Sequence, residues 1–193
     1  STGPALRQNK IKTLSDNLEK KNNLLVTLPL SLSPTIEILV KLSKISNLIS
    51  KIDNFTILIK PHPMASKEKI LNHLRWKRLP ENWIWENDDI NVSLMKSKAA
   101  IVLSSGAIID VVLSNTIPIP LISELDLPWN YLDMFEDTFK FLRPIGDHEL
   151  IGVIKNVFEN QNIDMQIELI KLKNTLKMGL GSINEKNMSE FLQ

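Results

Sequence analysis

The chain has 193 residues, of which 43% are hydrophobic and 23% are charged. This length and composition are typical of one globular domain with a substantial core. The 23 basic and 22 acidic residues give a formal net charge of +1, so the chain has no overall field that would attract nucleic acid. Any anion-binding site must therefore be local.

The composition also argues against several classes of site. The chain has no cysteine and three histidines, which excludes disulfides and thiolate chemistry and disfavours a His-rich metal centre. Its apolar runs are far shorter than the roughly 18 to 20 residues that span a bilayer, and no signal segment opens the chain. We therefore expect neither a metal site nor a transmembrane segment.

The first third of the chain predicts a linker, a strand and an amphipathic helix. Residues 1–10 lack apolar periodicity and are interpreted as a linker, with a short helix predicted over 11–21. The sequence LLVTL at 24–28 is typical of a strand. Ser33 and Pro34 have the pattern of an N-cap followed by proline at the first helical position. The helix they begin has apolar residues at spacings of three and four: Ile38, Leu42, Ile45, Ile49 and Ile52.

A second strand, Thr56–Ile59, leads directly into the sequence Lys60-Pro61-His62-Pro63. The two prolines fix two φ angles and remove two backbone donors, so they hold the imidazole of His62 on a stiff loop at the carboxyl end of the strand. In an open α/β sheet, ligands bind at this edge. The simpler alternative is a proline-rich turn that happens to contain a histidine.

The remaining elements continue the alternation of strands and helices. A helix from Ser66 to about Trp76 is followed by a strand at Trp83–Trp85 and a short helix capped within 87–89. A central strand at 100–103, a helix at 106–113 and a strand at 117–122 come next. The last predicted elements are helices at 149–159, which Asp147 caps, at 165–178 and at 182–192. Two prolines in the strand at 117–122 require a sheet edge or a very short ladder. Aromatic residues between Ser123 and Leu142 predict either a satellite cluster under a long loop or a cleft wall. The pattern indicates a three-layer α/β/α, Rossmann-like domain with a parallel sheet.

A second candidate anion site is Leu103-Ser104-Ser105-Gly106, at the junction between the central strand and the next helix. Two hydroxyls, a glycine and the first N–H groups of a helix can bind a phosphate, although serines at such junctions are also ordinary caps. Because carboxyl ends of parallel strands share one edge, this loop and His62 can face the same phosphate. Asp110, further into the helix, could accept hydrogen bonds from a ribose or could simply stabilise the helix start.

Other nucleotide and hydrolase motifs are absent from the sequence. There is no GxGxxG, no Walker lysine loop and no GxSxG elbow, so dinucleotide and P-loop readings are weak. A hydrolytic triad of His62, Ser105 and Asp110 is disfavoured, because Asp110 lies on the serine's own helix and is poorly placed to orient a histidine from another loop.

The sequences ILIKPHP and, about forty residues later, AAIVLSSGAIIDVVLSNTIPI resemble the nucleotide-binding half of GT-B glycosyltransferases. The similarity is greatest to bacterial sialyltransferase-like, capsule-polymer and CDP-glycerol transferases, which have an HP motif and a downstream Ser-Ser or Ser-Thr motif. The resemblance covers nearly the whole chain and implies a linker at residues 1–10 and a donor-binding domain over 11–193. The family's acceptor half, which carries its catalytic base, is not in this sequence.

The resemblance implies roles for particular residues. His62, Ser104 and Ser105 would hold the donor phosphate, and Asp110 would replace a slightly longer glutamate that often binds ribose. The whole candidate site for the nucleotide and its phosphate comprises Lys60, His62, Ser104, Ser105, Gly106, Asp110 and Arg7. The candidate base-contacting region comprises Trp85, Glu86 and Ile90.

The resulting expectation is the donor-nucleotide-binding domain of a glycosyltransferase of bacterial surface polysaccharide biosynthesis, inactive as an isolated chain. A CMP-linked, sialic-acid-like sugar is the favoured donor, with CDP, UDP and GDP as competitors, and no cofactor is expected. The expected partner is the missing N-terminal acceptor domain, and the expected location is the cytoplasm, including the inner face of the membrane. The alternatives are half of a nucleotide-sugar epimerase and a non-catalytic nucleotide-binding module.

Overall fold

Five parallel strands form the centre of the structure, a computed structural model that describes residues 21–103, 106–125, 132, 135, 138–143, 145–159 and 163–180. The strands are β1 (Lys21–Thr27), β2 (Thr56–Lys60), β3 (Trp83–Trp85), β4 (Ser97–Val102) and β5 (Ile117–Pro120). The helices are α1 (Leu32–Ile49), α2 (Lys67–Leu74), α3 (Ile90–Met95), α4 (Ala107–Leu113), α5 (Asp147–Glu159) and α6 (Ile163–Leu180), with a 3-10 turn at Lys140–Leu142.

The order of the strands in the sheet is β3-β2-β1-β4-β5, and every neighbouring pair is parallel. The chain therefore leaves β1 toward one side of the sheet and later returns to its other side at β4. Such a reversal opens a crevice outside the carboxyl ends of the two central strands. The predicted Rossmann-like α/β fold, with helices flanking a parallel sheet, is confirmed.

The centre of the core is made by β1 and β4, whose side chains are buried on both faces of the sheet. Leu24, Leu25, Ala100 and Ile101 are each 0% exposed. A central parallel strand is covered by helices on both sides, so its sequence is a continuous apolar run and not an alternating one. Among the five strands, β5 lies at the edge of the sheet next to β4, and this edge position accommodates the two prolines as predicted; on its outer side the Ile145 N–H donates to the Pro120 carbonyl.

Two helix starts agree with the sequence pattern. Ser66 precedes α2, and its side chain accepts a hydrogen bond from the Lys69 N–H at 3.2 Å. Asp89 precedes α3 and accepts from the Asn91 N–H at 2.9 Å. These polar side chains satisfy N–H groups that have no partner within their helix.

Several predicted boundaries differ from the structure, among them the following three. α1 begins at Leu32, so Ser33 lies within the first turn, where the missing N–H of Pro34 costs no intrahelical bond. β4 begins at Ser97, because the buried Ser97 hydroxyl donates to Ser93 O at 2.7 Å and a polar residue is thereby accommodated in a strand. Asp147 is the first residue of α5 and not its cap. The helices predicted over 11–21 and 182–192 lie outside the described residues, except for residue 21.

The described aromatic residues between 123 and 142 belong to the core. Phe139 is buried, and its ring centroid lies 6.0 Å from that of Phe141 in an edge-on arrangement. Phe135 and Phe141 pack against the same hydrophobic core. Of the two alternatives for this region, the described part therefore favours a packed aromatic cluster.

Among the described residues, no helix is both long and apolar enough to cross a membrane.

A charged network ties α1 to the segment after β5. Glu37 accepts hydrogen bonds from the Ser123 hydroxyl at 2.5 Å and from the Glu124 N–H at 2.9 Å. Lys41 forms ion pairs with Glu37 at 2.7 Å and Asp147 at 2.8 Å, and the side chains of both Glu37 and Lys41 are only 10% exposed. Burial acts to raise the pKa of Glu37, but hydrogen bonds from Lys41, Ser123 and Glu124 outweigh it and lower that pKa.

We expect Glu37→Gln to reduce the free energy of unfolding at pH 7 by about 1.5 to 3 kcal/mol, the usual cost of losing hydrogen bonds to a charged group. Because the folded-state pKa is lowered from 4.5, the carboxylate stabilises the fold above that pH and loses this effect as pH falls through the folded-state value. Urea unfolding at pH 7 and pH 3 should therefore show a deficit that shrinks in acid. The exposed Glu81→Gln is the matched control, and an equal loss in both variants would contradict the network's role.

Candidate functional site

A cleft of about 680 Å³ opens at the carboxyl edge of the sheet, where the strand order reverses. Its walls come from the ends of β1 and β2, the loop between β3 and α3, and the first turn of α4. Its lining residues include Lys60, His62, Lys67, Glu86, Asp88 and Asp110. The position is the one at which open parallel sheets bind ligands.

His62 is held by hydrogen bonds within its own loop. The Ala65 N–H donates to the His62 carbonyl at 2.8 Å, and the Met64 N–H donates to His62 Nδ1 at 3.2 Å. An imidazole nitrogen that accepts a hydrogen bond carries no proton, so the proton of the neutral ring is on Nε2. The loop therefore presents His62 as a hydrogen-bond donor through Nε2.

Two lysines of the cleft hold the loop that follows β3. Lys60 Nζ donates to the Asp88 carbonyl, and Lys67 Nζ donates to Asn87 Oδ1. The Lys67 ammonium also lies 5.6 Å from the centroid of the Trp85 ring, a distance typical of a cation–π contact. Residues 87 and 88 are thus attached to β2 and to the start of α2.

The carboxylates of Glu86 and Asp88 on this same loop interact with a backbone N–H and with Lys96. Glu86 is only 8% exposed, and its Oε1 accepts from the Asp88 N–H at 2.8 Å. Lys96 forms an ion pair with Asp88 and lies 3.9 Å from Glu86 Oε2. The hydrogen bond to Asp88, with a further contribution from the Glu86 charge, raises the pKa of Lys96 despite some desolvation. This wall of the cleft is therefore acidic and is held together by hydrogen bonds and an ion pair.

The opposite wall is the beginning of α4. Gly106 precedes the helix and Asp110 lies in its first turn, and both residues line the cleft. Asp110 is 5% exposed, so its carboxylate is held at the bottom of the cleft and not on the outer surface.

The structure brings together six of the predicted site residues: Lys60, His62, Glu86, Ile90, Gly106 and Asp110. Trp85 is not among the residues that line the cleft. Arg7, Ser104 and Ser105 lie outside the described residues. Lys67 and Asp88 also line the cleft, although the sequence predicts them only as parts of helix starts. For Lys67, the available signal is its position directly after the Ser66 cap and a few residues after the HP motif.

Comparison with known proteins shows likeness at the level of structure. No protein-family model matches the chain, and no curated protein matches it in sequence. A structure of TarM from S. aureus in complex with UDP, fondaparinux and alpha-GlcNAc-glycerol superposes with a TM-score of 0.64 at 13% identity, over 92% of this chain and 36% of TarM. The glycotransferase of kitacinnamycin gives a TM-score of 0.62 at 11% identity, over 91% and 44% of the two chains.

A third similar structure matches from end to end. The C-terminal domain of the group 1 glycosyl transferase LpcC from Francisella tularensis gives a TM-score of 0.50 at 9% identity and is covered to 95%, as is this chain. By contrast, the chain spans less than half the length of TarM and of the kitacinnamycin enzyme. The fold of this chain is therefore that of the Rossmann-like, C-terminal half of GT-B glycosyltransferases.

Proposed function

We propose that this chain is the donor-binding domain of a glycosyltransferase and that the cleft at the carboxyl edge holds the nucleotide of a nucleotide sugar. The observation that carries the proposal is the convergence of the His62 donor and the buried Asp110 carboxylate on one cleft at the point where the strand order reverses. A nucleotide needs donors for its phosphate and acceptors for its ribose hydroxyls, and the cleft offers both.

The phosphate is assigned to the side of the cleft formed by the His62 loop and the residues before α4. His62 Nε2 donates one hydrogen bond, and Ser104 and Ser105 are proposed to add hydroxyl donors next to Gly106. Hydrogen bonds to a charged group are about twice as strong as neutral ones, so a small number of them can position the donor. Asp110 is assigned to the ribose, and Arg7 is retained as a proposed phosphate contact.

The base is assigned to the loop after β3, next to Glu86 and Ile90. Lysine contacts to Asp88 and Asn87 hold this loop in place before any ligand binds. A preformed loop needs little ordering when the ligand arrives, which favours affinity. Trp85 supports the loop from below through its contact with Lys67.

The preferred donor is proposed to be linked to CMP. The cleft lining contains the cations Lys60 and Lys67, against four carboxylates: Glu86, Asp88, Asp89 and Asp110. A CMP-sugar carries one phosphodiester charge, whereas a UDP- or GDP-sugar carries two, and the acidic lining repels the second. The resemblance to sialyltransferase-like and capsule-polymer enzymes supports the same donor class and a role in bacterial surface polysaccharide synthesis.

Calorimetric titration of the chain with CMP, CDP, UDP and GDP tests the proposal. We expect CMP to bind most tightly, and cytidine to bind much more weakly because it lacks the phosphate. UDP is the strongest competitor, since the TarM structure contains it. Binding of none of the four nucleotides would refute the donor-site assignment, and tighter binding of UDP or GDP would refute the preference for CMP.

Assays of the full-length protein separate transfer from the alternatives. The catalytic base is proposed to lie outside these 193 residues, because a site between two domains needs both to orient an acceptor and exclude water. Transfer to an acceptor supports a glycosyltransferase. Release of free sugar and nucleotide without an acceptor supports an epimerase, and binding without turnover supports a non-catalytic module.

We expect nucleotide binding to be independent of divalent metal. Among the described residues, no cluster of three or more His, Asp or Glu side chains is suited to holding a metal ion. Asp88 pairs with Lys96, and Asp89 accepts from both the backbone N–H and the side-chain amide of Asn91. CMP affinity should therefore be the same in EDTA and in magnesium. A loss of affinity of tenfold or more in EDTA would contradict this expectation.

A further inference from the structure

A second cavity, of about 450 Å³, lies at the opposite edge of the sheet from the donor cleft. Three of its lining residues are at or near the amino ends of strands, and none lines the donor cleft. They are Asn22 of β1, Lys98 of β4 and Ile117 of β5; Asn115 before β5 and Gln166, Leu169 and Ile170 of α6 complete the lining.

Lys98 is the charged group of this cavity, and its charge is poorly compensated. Its Nζ lies 3.4 Å from the Phe158 carbonyl oxygen and 5.6 Å from the centroid of the Phe158 ring. In the part of the chain that the structure describes, no carboxylate forms an ion pair with it. Burial lowers the pKa of Lys98. A cation removed from water without an opposite charge is costly, so an anion that reached it would be favoured.

Side-chain amides add further hydrogen-bonding groups to the lining of this cavity. Asn115 is in the left-handed region at φ 57°, and its Oδ1 accepts a hydrogen bond from Lys173 Nζ at 2.8 Å. Because Oδ1 is engaged by Lys173, the NH₂ group is the part of the Asn115 amide that can donate to an anion. Gln166 adds another amide to the lining. Among the described residues that line the cavity, none is acidic.

The rest of the lining is aliphatic. Ile117 and Leu169 are buried, whereas Ile170 is 53% exposed although it belongs to the same wall. The exposed surface of Ile170 gains free energy when it is covered by a hydrocarbon group. The cavity therefore combines a cationic and amide-rich end with an apolar wall.

We propose that this cavity binds a small monoanionic carboxylate with a short aliphatic chain. The carboxylate pairs with the Lys98 ammonium and accepts from the Asn115 amide, and the aliphatic chain covers the exposed Ile170. A cavity of about 450 Å³ is within the usual size range for small-molecule sites, roughly 300 to 1,000 Å³. This site is independent of the nucleotide proposed for the other edge of the sheet.

Calorimetric titration of the chain with hexanoate tests the site. Hexanol, which lacks the negative charge, and inorganic phosphate, which lacks the aliphatic chain, are the comparison probes. We expect hexanoate to bind at least tenfold more tightly than either probe. Lys98→Met should weaken hexanoate binding about tenfold to a hundredfold, because a hydrogen-bonded ion pair is lost. The matched control is Lys171→Met, which removes an exposed lysine of α6 that does not line the cavity and should leave affinity unchanged.

A second readout follows Lys98 directly, so that a folding defect in Lys98→Met does not decide the result. In the chain with isotope-labelled lysine side chains, the NMR signal of Lys98 should titrate at a higher pH when hexanoate is bound, because the carboxylate stabilises the ammonium. Hexanoate binding that is absent, equal to that of hexanol or phosphate, or unaccompanied by a shift at Lys98 would overturn the proposal.

Discussion

Replacing His62 with alanine is expected to weaken CMP binding by about 1 to 3 kcal/mol, the usual cost of removing a hydrogen bond to a charged group. The reason is geometric: the Met64 N–H occupies Nδ1 of His62, so Nε2 carries the proton and can donate into the cleft. Calorimetric titration with CMP measures the loss. Cytidine, which lacks the phosphate, should bind His62→Ala and the wild-type chain with similar affinity.

His73→Ala is the matched control for this experiment, because His73 is exposed on α2 and does not line the cleft. Its CMP affinity should equal that of the wild-type chain. Ser105→Ala, alone and combined with His62→Ala, tests whether the two side chains serve one phosphate, since coupled groups give a double-mutant effect that differs from the sum. A His62→Ala chain that loses thermal stability but binds CMP normally would show that His62 is only a turn element.

Ile101→Ala is expected to lower the free energy of unfolding by about 2 to 5 kcal/mol, the range measured for large-to-small changes in well-packed cores. Ile101 is 0% exposed and lies in β4, opposite Val26 of β1 and Ile119 of β5. Because both neighbouring strands and the covering helices contact this position, the surrounding atoms cannot easily collapse into the space left. Urea unfolding, with the slope of the transition unchanged, measures the loss.

Ile84→Ala provides the comparison for the core substitution. Ile84 is in the edge strand β3 and is 55% exposed, so we expect a loss of less than about 1 kcal/mol, within the range of β-propensity effects. If Ile101→Ala destabilised the chain no more than Ile84→Ala, the central position of β4 would be wrong. This result would also remove the basis for placing the donor cleft beside it.

Much of the local structure follows from short stretches of sequence. The strand from Thr56, the edge position of the proline-containing β5, and the caps at Ser66 and Asp89 agree with the structure. Each depends on the residue's own φ preference, on its immediate neighbours or on a single periodic face. The start of β4 was missed because the buried hydroxyl of Ser97 is satisfied by a helix carbonyl, a contact that periodicity does not register.

Part of the candidate donor site could be predicted from the expected parallel sheet. Once the sheet was predicted to be parallel, the loops after β2 and β4 had to share one edge, and this placed His62 and Gly106 on the same cleft. The contributions of Lys67 and Asp88 were not predictable. They depend on how the loop after β3 packs against α2 and Lys60, and the pattern of either segment alone carries no information about that packing.

The alternation of strands and helices, the apolar central strands and the loop around His62 could be predicted, because they depend on local sterics and hydrophobic periodicity. The meeting of distant polar groups depends instead on the folded chain. Glu37 reaches Ser123 across 86 positions of the chain, and Lys98 meets the carbonyl of Phe158 across 60. Such pairs form because the packing of helices on the sheet removes these groups from water and requires each to find a partner, a demand that is set by the assembled core and not by neighbouring residues.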